Sequence, residues 1–413
     1  MTRIIYVRTK GNDDLAHQYI MCIRLSAALD IDGVFLSQSE LCREKREDET
    51  IQGGIHKYRD SLIPKYVHED LATGKCKKII LDYSTEGYHA IDWNYISTIF
   101  GVKQDKIVWV TGIWNPEFLN IQSEVTVVFA NFWERFLHGG HHPFTSSRAI
   151  GTKQQIEDIK DLKIRKYHGL SYNRIPHVHR IYLLTKLKTE GLLGRTSYSW
   201  GGNSINHNNS EWNLKHIEDI FNQGKELKYL ISDDKKSLNE IMKSKQITFP
   251  NEELKTNKAD SINFDHIKDC YFQIITETMV INAKQSTNGI VPTPFLSEKS
   301  YKPFVSGMPF VMWGQVGTVN ALSEQGYHCY HKWIDHSYDS ITDSGKRLET
   351  LMIEIKRLYA IPSEQWSIML KEMLPVIEHN IKQSHRFSRE NVDFINDDFK
   401  ENMILDVINK VSS

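Results

Sequence analysis

The chain is poor in cysteine, and its few cysteines stand far apart. There are five, an odd number, and no two of them form a C-x-x-C pair. Zinc ribbons, redox-active dithiols and disulfide-stapled secreted folds need paired or closely spaced cysteines. We therefore interpret these residues as reduced thiols that pack as small apolar side chains.

Long apolar runs are also lacking, and the opening segment does not resemble a signal peptide. No segment approaches the roughly 18 consecutive apolar residues that a membrane-spanning helix requires. The opening segment MTRIIYVRTKGNDD turns polar after one short apolar run, whereas a signal peptide would continue as an apolar stretch. The sequence thus predicts a protein without membrane insertion that stays in the cytoplasm.

Neither sign of charge is in clear excess. Lys and Arg number 51, Asp and Glu number 52, and the formal net charge is -1. The whole molecule therefore has no strong attraction to nucleic acid or to an anionic membrane, and a site for a polyanion would have to be local. The sequence also has no G-x-x-x-x-G-K-S/T or G-x-G-x-x-G run, which argues against a P-loop or dinucleotide-dependent enzyme.

The length and the apolar pattern predict an α/β fold. A chain of 413 residues is longer than one core usually grows, and short apolar runs alternate with helical spacing in both halves. This alternation is typical of parallel sheets covered by helices on both faces. We predict two Rossmann-like lobes facing a cleft, residues 1–150 and 160–350, with the polar stretch 145–161 as linker. Residues 351–413 are predicted to be helices that pack across the lobes.

The clearest chemical motif is FLSEKSYKPF, followed by GMPFVMWG. Ser297 is a good helix N-cap, which would put Glu298 and Lys299 in the first turn of a helix directed into the cleft. A carboxylate there can accept hydrogen bonds from both hydroxyls of a ribose, while the ammonium and the free backbone N–H groups face a diphosphate. A capped surface helix with a solvated Glu-Lys pair fits the pattern equally well.

This motif resembles the donor-binding signature of α-1,3-fucosyltransferase-like enzymes, and more closely that of a largely viral and bacterial group of glycosyltransferase-like proteins. That group has an S/T-E-K-x-x-K-P run, then G-x-P-F, G-F/Y-x-x-F/Y and D-x-S-Y-D. The likeness covers residues of about 165 to 350, and the matching positions are Glu298, Lys299, Lys302, Pro303, Gly307, Pro309, Phe310, Gly326, Tyr327, Asp335, Ser337, Tyr338 and Asp339. It implies the GT-B arrangement, with residues 160–350 holding a nucleoside diphosphate sugar and residues 1–150 holding the acceptor.

Two further elements are predicted to bind the donor. Members of the same group have an N-R-x-P-x-x-x-R run, matched here by Asn173, Arg174 and Arg180, and both guanidinium groups could bind a diphosphate by paired hydrogen bonds. Alternatively, Arg180 only begins the helix and pairs with a nearby acid. Glu277 resembles a strand-end acid near the donor sugar in the fucosyltransferase-like enzymes, although it could equally cap the following loop. Together with Ser297, Glu298, Lys299 and Lys302, these residues form our predicted donor site.

Catalysis of inverting transfer requires a carboxylate that removes the proton of the acceptor hydroxyl. Asp82 and Glu86 follow the apolar run KKIIL, so we predict that both lie in a loop after a strand, at the mouth of the cleft. Glu86 is the favoured base and Asp82 the second choice. A solvated acid in a surface loop is the alternative.

We predict no metal and no other cofactor. Asp30-Ile31-Asp32 matches the D-x-D pattern of metal-dependent glycosyltransferases, but three-residue patterns arise often by chance and Asp is a routine turn residue. The His138-Gly139-Gly140-His141-His142 tract lacks the nearby Cys or carboxylate spacing of a metal site. The lysines and arginines of the second lobe can neutralise the leaving diphosphate instead.

Two classes of function fit the sequence. The first is an inverting glycosyltransferase, whose acceptor is a glycan such as lipopolysaccharide or, following the likeness to viral proteins, a hydroxymethylated DNA base in the host cytoplasm. The near-zero net charge weighs mildly against DNA. The second is a non-catalytic protein that binds a nucleotide sugar or a glycan. The sequence does not predict an oligomeric state.

Overall fold

The computed structural model describes residues 3–8, 69, 71–74, 76–83, 93–114, 123–129, 145–173, 177–201, 232–244, 262–280, 284–285, 289–290 and 293–384. The chain divides into two compact units. The first comprises Met1–Trp133 with Phe387–Ser413, and the second comprises Glu134–Arg386.

The first unit contains a four-stranded parallel sheet in the order β1-β2-β3-β4. Its strands and its helix are β1 (Arg3–Arg8), β2 (Cys76–Tyr83), α1 (Trp93–Phe100), β3 (Ile107–Thr111) and β4 (Thr126–Phe129). Ile107, Val108 and Trp109 follow one another and are all buried. Consecutive buried residues mean that β3 is covered on both faces, as is typical of a parallel sheet.

The second unit contains another four-stranded parallel sheet, in the order β10-β7-β5-β6. Its strands are β5 (Tyr167–Asn173), β6 (Thr196–Trp200), β7 (Cys270–Thr276) and β10 (Phe310–Trp313), and a short hairpin is formed by β8 (Lys284–Gln285) and β9 (Gly289–Ile290). Every residue of β7 is buried, so this central strand is covered on both faces.

Helices cover this second sheet on both faces. They are α2 (Thr145–Lys160), α3 (Val178–Thr189), α4 (Ser232–Lys243), α5 (Phe264–Ile267), α6 (Glu298–Ser306), α7 (Thr318–Glu324), α8 (Ser344–Ala360) and α9 (Ser363–Ser384). On one face, Trp313 contacts Tyr182 of α3, and its indole N–H donates to the Ser344 carbonyl of α8. On the other face, Met312 contacts Ser300 of α6, because successive residues of a strand point to opposite faces.

The polar stretch that was predicted to be a linker lies within the second unit, where residues 145–160 form the 16-residue helix α2. The inner side of this helix is held by polar contacts, so the sequence has little apolar periodicity there. The Arg165 guanidinium donates to Gln155 Oε1 at 3.2 Å, and Lys163 Nζ lies 2.9 Å from Asp158 Oδ1. Gly151 also permits close packing, since a Cβ there would lie 2.3 Å from the ring of Phe264.

The predicted boundary of α3 also needs correction. Helical spacing in RIYLLTKLKTEGLLG predicts a helix that ends at Gly194, whereas α3 ends at Thr189. Gly191 follows with a φ of 70°, a left-handed conformation that glycine adopts without steric cost. The chain therefore leaves the helix five residues earlier than the apolar pattern suggested.

The α/β prediction is confirmed for the described residues, which form parallel sheets with helices. None of the helices described in the structure is both long and apolar enough to span a bilayer. Cys270 and Cys329 are unpaired and buried, and burial raises the pKa of each thiol to about 12. These two thiols are therefore neutral packing groups, as expected from the sequence.

Candidate functional site

Most of the predicted donor-binding residues that the structure describes lie at the carboxyl edge of the second sheet. Asn173 is the last residue of β5, Glu277 directly follows β7, and Arg180 lies in the first turn of α3. Ser297 precedes α6, which begins with Glu298. In open parallel sheets, ligands bind outside the carboxyl ends of the strands, so this edge is the candidate site.

The N-cap prediction for Ser297 is confirmed. Its backbone is extended, with φ −86° and ψ −176°, and its hydroxyl accepts a hydrogen bond from the backbone N–H of Lys299 at 3.3 Å. At the other end of α6, Gly307 takes a left-handed conformation with φ 66°. The serine and the glycine thus fix both ends of this helix.

Glu277 anchors the start of α6. Its side chain is fully buried, and Oε1 accepts from the backbone N–H of Ser297 at 3.0 Å and from the Ser300 hydroxyl at 2.7 Å. The Ser297 hydroxyl lies 2.8 and 2.7 Å from its two oxygens, and the Thr278 N–H donates to Oε2 at 2.6 Å. Glu277 was predicted to bind the donor or, alternatively, to cap the following loop. Its carboxylate accepts from the first backbone N–H of that loop and positions the start of α6.

Arg180 lies close enough to the carboxylates of Glu277 and Glu298 to interact with their charges. It is buried, and burial lowers the pKa of its guanidinium, while the charges of Glu298 and Glu277 act in the opposite direction. Arg180 of α3 is attracted to Glu277 at the end of β7 and to Glu298 at the start of α6. Its charge therefore links three elements that are far apart in the sequence. The guanidinium remains charged at neutral pH because its unperturbed pKa is far above 7.

The Glu298–Lys299 pair is largely withdrawn from solvent. Lys299 Nζ lies 2.6 Å from Glu298 Oε1, 3.1 Å from Thr278 Oγ1 and 3.2 Å from Ser297 Oγ. The exposed fractions of the Glu298 and Lys299 side chains are 13% and 25%, which disfavours the alternative of a solvated surface pair. Burial raises the pKa of Glu298, but the charges of Lys299 and Lys302 outweigh it, so the net shift is downward.

These residues form what we term the charged cluster: Arg180, Glu277, Glu298, Lys299 and Lys302. Three cations face two carboxylates, so the cluster has one net positive charge in a chain whose total is -1. Low solvent access strengthens the interaction of such charges with a bound ion. The arrangement favours an anion of more than one charge at the start of α6.

His179 stands next to Arg180 and is uncharged. Burial lowers the pKa of His179 well below its usual value, and the adjacent charge of Arg180 lowers it further. The ring stacks on His177 with centroids 5.5 Å apart and meets Trp313 edge-on. The two histidine rings thus pack against each other at the start of α3.

The remaining predicted residues are placed less fully. Asp82 lies inside β2, paired with Val110 of β3, and not in the loop where it was predicted. The strand β2 extends two residues beyond the apolar run, to Tyr83, which is why the loop starts later. Glu86 and Arg174 lie outside the described residues, as do Asp30-Ile31-Asp32 and the tract 138–142.

The D-x-S-Y-D stretch has structural roles in this fold. The Tyr338 hydroxyl accepts from the backbone N–H of Met312 at 3.0 Å, which satisfies a donor of β10. Asp339 Oδ2 accepts from the backbone N–H groups of Val319 and Asn320 at 3.1 and 3.0 Å, at the start of α7. These residues of the resemblance thus shape the edge of the sheet.

Sequence reasoning missed Arg347, a buried residue that holds the carboxyl edge together. Its guanidinium donates to the backbone carbonyls of Gly314, Ile341 and Val280. Gly314 directly follows β10 and Val280 lies in the segment after β7, so one side chain holds the ends of both strands. No local pattern marks Arg347, because its partners lie in three separate segments.

In the part of the chain that the structure describes, no group of three or more His, Cys, Asp or Glu residues is placed to hold a metal ion. The charged cluster joins the first turn of α3, the end of β7 and the start of α6. No protein-family model matches the chain, and no curated protein matches it.

Proposed function

We propose that this protein is an inverting glycosyltransferase of the GT-B arrangement, with the charged cluster as the site for a nucleoside diphosphate sugar. The single observation that supports this most is the convergence of Arg180 with Glu298 and Lys299 at the buried start of α6. This convergence is what binding of a diphosphate beside a sugar-ring diol requires. The motif in which these residues lie resembles donor-binding signatures, which supports the same reading.

The proposed donor contacts follow from charge and hydrogen-bonding capacity. The guanidinium of Arg180 and the ammonium groups of Lys299 and Lys302 stabilise the diphosphate, and Arg174 adds a further cation. The carboxylate of Glu298 accepts hydrogen bonds from a ring diol. Glu277 keeps α6 in place without touching the ligand. In the leaving step, these cations stabilise the negative charge that develops on the departing nucleoside diphosphate.

The proposed chemistry is a single displacement. The acceptor hydroxyl loses its proton to a carboxylate, its oxygen forms a bond to the anomeric carbon, and the bond from that carbon to the diphosphate oxygen breaks. Glu86 is the proposed base, and Asp82 is the second candidate. The acceptor is a glycan or a hydroxymethylated DNA base.

The first test is a thermal-shift screen of the full chain with UDP-glucose, GDP-fucose, ADP-glucose and dTDP-glucose. A ligand present at a hundred times its Kd stabilises the folded state by about 2.7 kcal/mol. We expect one nucleotide class to raise the melting temperature clearly. If none of the four does so, and none supports sugar transfer, the proposal is wrong.

Lys299→Met then tests the site itself. Loss of one charge-assisted hydrogen bond should weaken binding of the nucleoside diphosphate roughly tenfold to a hundredfold. Lys356→Met is the matched control. Lys356 also pairs with a glutamate, Glu190, at 3.1 Å, but it lies in the last turns of α8 and does not belong to the charged cluster. Equal loss of binding in both variants would argue against the charged cluster.

Glu86→Gln and Asp82→Asn separate an enzyme from a binding protein. In a transfer assay with glycan and hydroxymethylated DNA acceptors, the variant that lacks the base should lose turnover by roughly 100-fold or more while it still binds the donor. If wild-type protein binds a nucleotide sugar but transfers it to neither acceptor, the non-catalytic alternative is favoured.

A further inference from the structure

A row of four side chains crosses the second sheet at its carboxyl edge. Asn173 is in register with Trp200 of β6, and Thr276 is in register with Trp313 of β10. The register of β5 and β7 pairs Leu170 with Gln273. Continued to the strand ends, it brings Asn173 beside Thr276. In-register residues of parallel strands point to the same face, so the four side chains form one row.

The row faces the helices α3 and α8. Trp313 contacts His179 in the first turn of α3, and its indole N–H donates to the carbonyl of Ser344, the first residue of α8. His179 therefore stands over the same face as the row. The row thus lies where both helices begin, next to the charged cluster that includes Arg180.

Three side chains of this row, together with His179 above it, have buried polar atoms without a hydrogen-bond partner among the described residues. Asn173 and Trp200 are fully buried and Thr276 is 3% exposed. Asn173 Oδ1, Thr276 Oγ1, Trp200 Nε1 and His179 Nε2 have no hydrogen-bond partner among the described residues. The other polar atom of the Asn173 side chain does have a partner, since its amide nitrogen donates to Ser171 Oγ at 3.0 Å. Buried polar groups normally have partners, so a group of four open ones calls for a bound molecule.

We propose that Trp200, Asn173, Thr276 and His179 form a subsite for the uncharged, hydroxyl-bearing ring of the ligand whose phosphates the charged cluster binds. This inference rests on the proposed function. Asn173 Oδ1 accepts, the Thr276 hydroxyl both donates and accepts, and Trp200 Nε1 donates. Adjacent strands are about 4.8 Å apart, so neighbouring hydroxyls of one sugar ring can reach both Asn173 and Thr276. The subsite has no formal charge, which favours a ring over a further phosphate.

The test uses two substitutions that remove only a hydrogen-bonding group, Thr276→Val and Trp200→Phe. Each has a control elsewhere in the chain. The Thr185 hydroxyl and the Trp109 indole N–H are also buried without a partner among the described residues, but they lie within α3 and in the first unit. Thr185→Val and Trp109→Phe thus reproduce the chemical change away from the proposed subsite.

Affinity is measured by calorimetry for the nucleotide sugar that stabilises the wild type, for its nucleoside diphosphate and for its nucleoside. Thr276→Val and Trp200→Phe should each weaken binding of the nucleotide sugar roughly threefold to tenfold, the size of one net hydrogen bond. The controls should leave it unchanged. Because an unpartnered hydroxyl is lost, Thr276→Val should not lower the midpoint of denaturation without ligand.

The ligand series identifies the ring and separates this inference from the proposed function. Weaker binding of the nucleotide sugar alone assigns the subsite to the transferred sugar. Weaker binding of the nucleoside and its diphosphate as well assigns it to the ribose. Unchanged binding in both variants, or equal loss in the controls, overturns the subsite while the proposed function stands. A wild type that binds none of the probes would overturn both.

Discussion

Among the helices that start at the carboxyl edge of the second sheet, α6 and α7 each have a buried carboxylate beside their first turn. At α7, Asp339 accepts directly from the backbone N–H groups of Val319 and Asn320. At α6, Glu277 accepts mainly from the hydroxyls of Ser297 and Ser300 and from N–H groups that precede the helix. Asp339 thus accepts from the free backbone N–H groups of its helix, whereas Glu277 binds the N-cap residue and a side chain of its helix.

The charged groups beside the first turns of the two helices also differ. Burial raises the pKa of Asp339 to about 6, whereas Lys299 and Lys302 lower the pKa of Glu298 against the effect of its burial. The start of α6 thus has an excess of cations beside it, and the start of α7 has its own anion already in place. From this comparison we expect only α6 to bind an external anion.

The largest effect should follow from removing Glu277. Glu277→Leu leaves the Ser297 N–H and the Ser300 hydroxyl without their acceptor and removes a negative charge that attracts Arg180. Loss of one member of such a buried polar group should lower the free energy of unfolding by about 3–5 kcal/mol. Urea denaturation of the wild type and the variant measures this loss.

Glu277→Gln and Asp339→Asn sharpen the comparison. Each keeps one carbonyl oxygen, and each should cost about 1–3 kcal/mol of stability. Only Glu277→Gln should also weaken nucleotide-sugar binding, because α6 then moves relative to Arg180. If Asp339→Asn weakened binding as much, the distinction between the two helix starts would be lost.

The pH dependence near α7 gives the next effect. Burial raises the pKa of Asp339 from 3.8 to about 6 and lowers that of His336 from 6.5 to about 4. Between pH 4 and 6, the folded state holds more protons at Asp339 than the unfolded state and fewer at His336. As pH rises, stability therefore falls through Asp339 and rises through His336.

Because these two contributions oppose each other, single variants should reveal them. In Asp339→Asn, stability should rise more steeply with pH than in the wild type, by at most about 3 kcal/mol over this window. In His336→Gln it should fall relative to the wild type by a comparable amount. Denaturation midpoints at pH 4, 5 and 6 measure both slopes, and parallel curves for all three proteins would contradict the assignment.

Local sequence signals predicted much of the fold. The strand β10 is a continuous apolar run, and β7 is apolar except for Gln273 and Thr276. The start of α6 follows from the N-cap Ser297, whose partner is only two residues away. The helix α2 was missed because its inner face is polar, with Gln155 and Asp158 in place of apolar residues. Patterns of hydrophobicity detect a buried face only when that face is apolar.

The site was predicted less completely, because its contacts join distant segments. Glu277 was recognised as a strand-end acid, but its partners Ser297 and Ser300 are 20 and 23 residues away. The row through Asn173, Thr276 and Trp200 depends on the register of three strands. A sequence suggests which residues end a strand, but only the paired sheet shows which of those ends are neighbours.

The smallest effect concerns the cap itself. Ser297→Ala removes the hydroxyl that caps α6 and contacts Glu277, which should cost about 1–2 kcal/mol of unfolding free energy. Ser297→Thr keeps the hydroxyl and should restore most of it. At α7, Thr318→Val removes only a bond to the Gln315 carbonyl and should cost about 1 kcal/mol or less. Because Ser297 also positions Lys299, only its alanine variant should weaken binding of the nucleoside diphosphate. Equal binding by all three variants would show that the cap serves the helix alone.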